Sequence, residues 1–249
     1  MNALFFLVLA AAPTAPLTAA QISDKARSQG NALGAQDAAA RLTLKITTPS
    51  KEVRVRELAM KSKRTNGLNK ALARFLSPPD VAGTAFLSIE NQGRDNDQFL
   101  YLPALGKSKR IGSGQRGQSF VGTDFTYGDI DARYLQSASA KRLDDDAQSG
   151  VLCYVLDSTL GEGDYSRAKV WVAQADFVVR RVEFYDKTNA LWKILTVSQV
   201  KIVDGHTVMA ASRMEDKKRG SQTEATLGAI DFKTPIDDSE FTEKSLSRG

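Results

Sequence analysis

A single cysteine and a single histidine among 249 residues exclude several chemistries at once. With only Cys153 no intramolecular disulfide can form, so the fold must be held by burial, which a chain of this length can supply. One histidine and one distant cysteine offer no zinc set, and a Ser-His-Asp or Cys-His centre would have to use His206, which sits just past a tight turn and reads as an exposed, turn-flanking residue. Long apolar runs are missing as well, since no stretch approaches the roughly 20 residues that a bilayer-spanning helix needs. Repeated strand-helix units and recognised nucleic-acid motifs are absent too, which argues against a parallel α/β sheet and against nucleic acid as a partner.

What is present begins with a leader pattern. Leu4 to Ala12 is apolar, Pro13 and Pro16 break the run, and small residues follow to Ala20. No Lys or Arg precedes the run, so the amino terminus alone would supply the positive end. The pattern predicts export, with cleavage between Ala20 and Gln21. No cysteine lies there to accept a lipid anchor. Residues 21–249 are then read as one domain, because their length suits one domain better than two.

The net charge of +5 is moderate. Basic residues cluster at Lys61, Lys63 and Arg64, at Lys107, Lys109 and Arg110, and at Lys217, Lys218 and Arg219. Such clusters are either solvated loop and strand faces or surfaces drawn to an anionic membrane or an acidic partner.

Alternation dominates the remainder. Leu42, Leu44 and Ile46 alternate with Thr43, Lys45 and Thr47, and Val53, Val55 and Glu57 resume after a turn at Pro49 and Ser50. Strand-like runs follow over 84–89, 98–102, 151–157, 168–173, 177–185, 191–203, 207–214 and 223–232. Asp204-Gly205 is a hairpin signature, and Ala175-Asp176 makes another tight connection. About ten closely spaced strands predict a mainly β fold, an antiparallel sheet curled into a barrel or half-barrel. Helix is expected at only three places: a short one capped by Ser23 or Asp24 and ending near Gly30 or Gly34, one from Asp129 to Gln136, and one from Asp238 to Leu246. Leu68, Leu72, Phe75 and Leu76 fit a helical stripe or a strand end, and periodicity does not decide between them.

No motif builds a catalytic or cofactor site. Gly112-Ser113-Gly114-Gln115-Arg116-Gly117 matches the dinucleotide pattern by letter, but neither helical periodicity nor a βαβ unit follows, so a loop is expected and no cofactor. Cys153 alternates with Val151 and Val155 and reads as a small core residue. Asp144-Asp145-Asp146, and Glu162 with Asp164, read as solvated carboxylates in turns, without a calcium-loop spacing.

Aromatic residues crowd the first half: Phe75, Phe86, Phe99, Tyr101, Phe120, Phe125 and Tyr127, interleaved with Gly83, Gly122 and Gly128. They could form a plain core or line the cavity of a barrel too wide to fill itself. In this region Arg74-Phe75-Leu76-Ser77-Pro78-Pro79-Asp80-Val81-Ala82-Gly83-Thr84-Ala85-Phe86-Leu87 resembles the outer-membrane lipoprotein-sorting proteins, the LolA-like family of periplasmic carriers. Phe99 to Leu105 with Lys109-Arg110-Ile111, and then Ser119 to Asp129, resemble that family's middle blocks in the same order. The resemblance extends from about Ala39 to the C-terminus.

The resemblance implies a curved antiparallel sheet with short helices as a lid over a cavity for acyl chains. It further implies a periplasmic, non-enzymatic carrier of lipid or lipoprotein acyl chains in transient contact with membranes. The branch resembled is associated with inner-membrane exporters of the resistance-nodulation-division (RND) type. The other reading is a non-carrier accessory or docking protein of such an exporter. Phe75, Phe86, Leu100, Leu102, Phe125 and Trp171 are the expected cavity lining. If the leader is removed as expected, intact mass of exported material corresponds to residues 21–249; a species retaining Met1 or bearing lipid overturns the export assignment.

Overall fold

The computed structural model describes residues 16–28, 37–137, 139–160 and 164–248. The apolar run of the expected leader and Glu162 lie outside them. Thirteen antiparallel strands form one sheet: β1 (Asp37–Thr47), β2 (Val53–Thr65), β3 (Leu68–Ser77), β4 (Ala85–Ile89), β5 (Asp97–Leu102), β6 (Lys107–Arg110), β7 (Lys141–Gln148), β8 (Val151–Thr159), β9 (Tyr165–Ala173), β10 (Val179–Asp186), β11 (Leu191–Val203), β12 (His206–Asp216) and β13 (Ser221–Asp231). Their order is β6-β5-β4-β3-β2-β1-β13-β12-β11-β10-β9-β8-β7. The meander is broken once, between β6 and β7, where the chain crosses from one edge of the sheet to the other. That crossing, residues 111–140, carries α2 (Tyr127–Ile130) and a 3-10 turn at Arg133–Leu135.

The sheet must curl toward this crossing. β4 and β9 stand eight strand positions apart in the order, roughly 38 Å at ~4.8 Å per strand if the sheet were flat. Yet Ser88 of β4 donates to Asp131 (2.6 Å) and Tyr165 of β9 donates to Asp129 (3.3 Å), two residues away along the same segment. Only a strongly curved sheet brings both arms to one short stretch, so the face that the crossing covers is the concave one.

Period-two alternation sorts the core onto the two faces. On the concave face Leu44, Leu58, Ala73, Phe75 and Phe86 pack with Ile111, Phe120 and Tyr127 of the crossing. Farther along that face Val170, Val172, Val182, Phe184, Leu195 and Met214 pack with Tyr134 and Leu135, and with Ile22 and Ala26 of α1 (Ala19–Ser28). On the convex side the C-terminal segment lays Ile236, Phe241 and Leu246 over Leu72, Ala85 and Leu87. Lys70 pairs with Asp238 there (2.6 Å), and Arg74 donates to the Ser245 and Leu246 carbonyls.

Several local expectations are corrected. The ambiguous Leu68–Ser77 run is strand, with Ala73 and Phe75 on one face and Leu72 on the other. β6 and β7 were not expected, because KSKR and KRLDDDAQ have no apolar alternation; both are sheet edges, where charge blocks pairing with another chain. Asp144 to Asp146 therefore lie in a strand, not a turn. α1 starts at Ala19, with Thr18 and Gln21 exchanging hydrogen bonds as its cap, while Ser23 is buried within it; the expected cleavage point falls in its first turn. Instead of a helix from Asp129, α2 starts at Tyr127 under the cap of Thr126, whose hydroxyl accepts from the Asp129 amide (3.1 Å). The expected helix from Asp238 to Leu246 is two 3-10 turns, capped by Asp237 and Thr242.

Other expectations hold. Asp204 and Gly205 both adopt positive φ, as a type I′ hairpin turn requires. His206 is exposed, with its ring 4.3 Å from that of Phe232. Cys153 is 0% exposed, between Val155 and Ala173 on the convex side of β8 and β9, and burial pushes its thiol pKa up. Thiol labelling of the native protein should therefore be slower than in denaturant by a factor of about 100 or more, since reaction must wait for local opening. Equal rates would show β8 to be exposed.

Candidate lipid-binding site

The concave face is apolar on both arms, and the crossing segment plugs it. At its centre four rings meet: Phe75 and Phe120 (5.7 Å between centroids), Phe86 and Phe120 (5.4 Å), Phe86 and Tyr127 (5.4 Å), and Phe120 and Tyr127 (5.8 Å). Two of these rings belong to strands and two to the plug, so the contact is a separable interface. Phe125 touches the apolar clusters of both arms.

The six expected lining residues divide accordingly. Phe75 and Phe86 lie at the ring cluster, Leu100 packs against it, and Phe125 bridges the arms. Leu102 shares the concave face of β5 by alternation and is half-buried, outside that cluster. Trp171 is not brought together with them. It lies on the convex side with Cys153, Val155 and Ala173, and its indole nitrogen donates to Asp146 (2.9 Å). The inward residues of β9 are its neighbours Val170 and Val172. Both faces of Val170-Trp171-Val172-Ala173 are apolar, so the sequence carried no parity signal there. Phe120 and Tyr127 carried a signal of another kind, since both lie in the aromatic-rich segment interleaved with glycines.

Polar bonds fix the plug at three points. Asp124 accepts from Ser221 (2.5 Å) and Thr223 (2.7 Å) of β13, its amide donates to the Thr223 hydroxyl (2.9 Å), and its carbonyl accepts from buried Lys193 of β11 (2.6 Å). Asp129 accepts from the Thr126 amide (2.7 Å) and from Tyr165 of β9 through the same oxygen. Asp131 accepts from Ser88 of β4, from Gln98 of β5 (2.7 Å) and from Asn96 (2.9 Å).

Helix α1 straps the mouth from one side. Arg27 pairs with Glu90 at the end of β4, and the Lys25 ammonium lies 4.9 Å from the Phe177 ring on the other arm. Between strap and plug a cavity of about 120 Å³ is lined by Met60, Ala71, Ser88, Ile130, Leu135 and Val179, among others. That space holds a handful of waters. A long acyl chain exceeds this cavity while the plug is seated.

Burial raises the pKa of both Asp129 and Asp131 above the ordinary 3.8; the Lys193 charge and the Thr126 and Tyr165 hydrogen bonds oppose this at Asp129, as the Ser88, Asn96 and Gln98 bonds and Arg116 do at Asp131. A carboxyl raised in this way binds its proton more tightly when folded than when unfolded. Its contribution to stability is present at low pH and is lost as pH rises from about 3.8 to the raised value. Salt-bridged Asp97 and Asp186 are held low and lose their contribution only below 3.8, a different range. Glu183 and Glu215 are also held low and have their full contribution above about 4.5, so urea melting should show stability falling with rising pH above that value. Asp129→Asn keeps an oxygen for both hydrogen bonds and should flatten the fall, leaving the variant more stable than wild type near neutral pH. An unchanged slope would show that Asp129 is not buried as a charge.

Comparison with known proteins agrees with this architecture. A family model described as an uncharacterized protein matches residues 67–248. No curated protein matches. An outer membrane lipoprotein-sorting protein domain from Vibrio parahaemolyticus superimposes with a TM-score of 0.84 at 29% identity, over 92% of this chain and 98% of that one. A DUF1329 family protein from Desulfovibrio piger gives 0.82 at 25% identity, over 92% and 96%. A LolA superfamily protein from Nitrosomonas europaea, 19% identical, shares the fold with a TM-score of 0.73 over 92% of this chain and 100% of that one. The curled, plugged sheet and these matches lead to one assignment: the chain belongs to that uncharacterized-protein family, and its fold is the one these lipoprotein-sorting and LolA superfamily structures share.

Proposed function

We propose that the protein is a carrier that binds lipid, or the acyl chains of lipoproteins, on its concave face and moves them between membranes. The observation that carries this reading is the separable interface between the strand rings Phe75 and Phe86 and the plug rings Phe120 and Tyr127, on a face otherwise closed by polar bonds and one helix. An acyl chain taking the place of Phe120 and Tyr127 would gain about 0.8 kcal/mol per buried methylene, so a dozen supply on the order of 10 kcal/mol before ordering costs. The similarity to the Vibrio lipoprotein-sorting domain supports the same role. The setting proposed with it is the periplasm, reached through the leader in residues 1–20, with an inner-membrane RND-type exporter as partner. Residues 21–249 are the carrier domain. The role is binding and transfer, not catalysis.

The accessory reading draws on one observation, the small size of the resting cavity. Native mass spectrometry of protein purified without detergent separates the two, because a carrier retains lipid mass. A fluorescent fatty acid should bind at tens of micromolar or tighter, the order set by the methylene estimate after costs. Thr223→Ala removes both bonds to Asp124; it should cost about 1–3 kcal/mol in stability and speed probe uptake by loosening the plug. Absence of both retained lipid and probe binding would reject the carrier in favour of the accessory protein.

A further inference from the structure

Among the described residues, Lys193 and Arg116 on the concave side have hydrogen-bond or ion-pair partners, whereas Arg56 has none. Lys193 donates to the Asp124 carbonyl, and Arg116 pairs with Asp95 (3.1 Å) and donates to the Asn96 carbonyl (2.7 Å). Arg56 of β2 is 8% exposed, and its Nη1 is buried without a hydrogen-bond partner among the described residues. The opposite charge acting on it comes from Asp80, which is exposed and favours the charged guanidinium without an ion pair at bonding distance. Leaving a buried guanidinium unpaired is costly, so a group of this kind calls for an anion.

The surroundings describe that anion. Arg56 alternates onto the face that carries Leu58 and Met60, stands opposite Leu44 in the β1–β2 pairing, and has its guanidinium carbon 6.0 Å from the Phe75 ring centre. Above it runs the Val121-Gly122 turn, both residues at positive φ. A Cβ at Gly122 would lie 3.4 Å from Arg56 Nη2, so bare backbone roofs the guanidinium there. A cationic fork suited to bidentate binding of carboxylate or phosphate thus stands directly beside the aromatic floor.

We propose that Arg56 is the headgroup subsite of the concave face, binding the carboxylate or phosphate of an anionic amphiphile whose acyl tail lies toward Phe75 and Phe86. The proposal rests on the carrier reading and narrows its cargo to lipids with a negative charge next to the tail.

The test compares ligands of equal tail and different head. Oleate, oleoyl-lysophosphatidylglycerol and oleyl alcohol, each below its aggregation concentration, compete with a fluorescent acyl probe on the wild-type protein and on Arg56→Gln. The wild type should favour the two anions over the alcohol by about tenfold or more, as a charge-assisted pair predicts. In Arg56→Gln the three should fall within about twofold of one another, with affinity for the alcohol unchanged. The melting temperature of ligand-free Arg56→Met should equal or exceed that of wild type, since no hydrogen bond or ion pair among the described residues is lost and the buried Nη1 no longer lacks a partner. Equal affinities in the wild type, a preference that survives in Arg56→Gln, or a lowered melting temperature with loss of all three ligands would overturn the proposal. Inorganic phosphate alone should neither displace the probe nor raise the wild-type melting temperature; if it does, the site serves a free anion, not an amphiphile. Failure of every ligand to bind the wild type would instead refute the carrier reading itself.

Discussion

The curvature of this sheet depends on a few hydrogen bonds made by carboxylates of one crossing segment. Asp124 is tied to β13 and β11, Asp129 to β9, and Asp131 to β4 and β5, so a stretch of eight residues reaches strands from both arms and the centre. An apolar plug alone would fill the concavity without fixing its register, since dispersion and burial are nondirectional. Carboxylates with named donors allow one seating of the segment. On the carrier reading proposed above, they would also ease its lifting relative to an all-apolar plug. Buried Asp129 and Asp131 recover their hydration when lifted, while the rings left behind on the sheet are the surface an acyl chain would cover.

Closure is shared among elements that act from different sides. Helix α1 is short, and it contributes Ile22 and Ala26, with half-buried Ala19 beside them, to the concave core. Its hold on the molecule is mostly through charge and is bilateral: Arg27 reaches Glu90 on one arm, and the Lys25 ammonium lies over the Phe177 ring on the other (4.9 Å). The C-terminal segment works on the convex side, where Ile236, Phe241 and Leu246 and the Lys61–Glu240 and Lys70–Asp238 pairs hold it to β2, β3 and β4. Curvature and rigidity therefore come from opposite faces. The concave side carries the crossing segment, and the convex side the C-terminal one.

The same division explains the edges. An open sheet of this width exposes two strands with unpaired backbone groups. Both are protected by charge, Lys107, Lys109 and Arg110 on β6 and Asp144 to Asp146 on β7. The bulge between Leu143 and Asp146 turns β7 further from regular pairing and brings Asp146 under the Trp171 indole.

Sequence by itself determined the strands whose two faces differ. Leu42-Thr43-Leu44-Lys45-Ile46 and Asp204-Gly205 are read from local rules, because alternation and left-handed φ are properties of a few adjacent residues. The resemblance in the Phe75–Phe86 block pointed to the site's floor for a similar reason: its residues lie close together in the chain. Tertiary structure decided the rest. Parity in Val170-Trp171-Val172-Ala173 depends on which side the plug covers, and the strand character of KSKR and KRLDDDAQ depends on their being sheet edges. That Phe120 and Tyr127 meet Phe75 and Phe86, and that the Nη1 of Arg56 is buried without a hydrogen-bond partner among the described residues, follows only from the folding of the β6–β7 crossing over the sheet. Those are contacts between residues distant in sequence, and no local period encodes them.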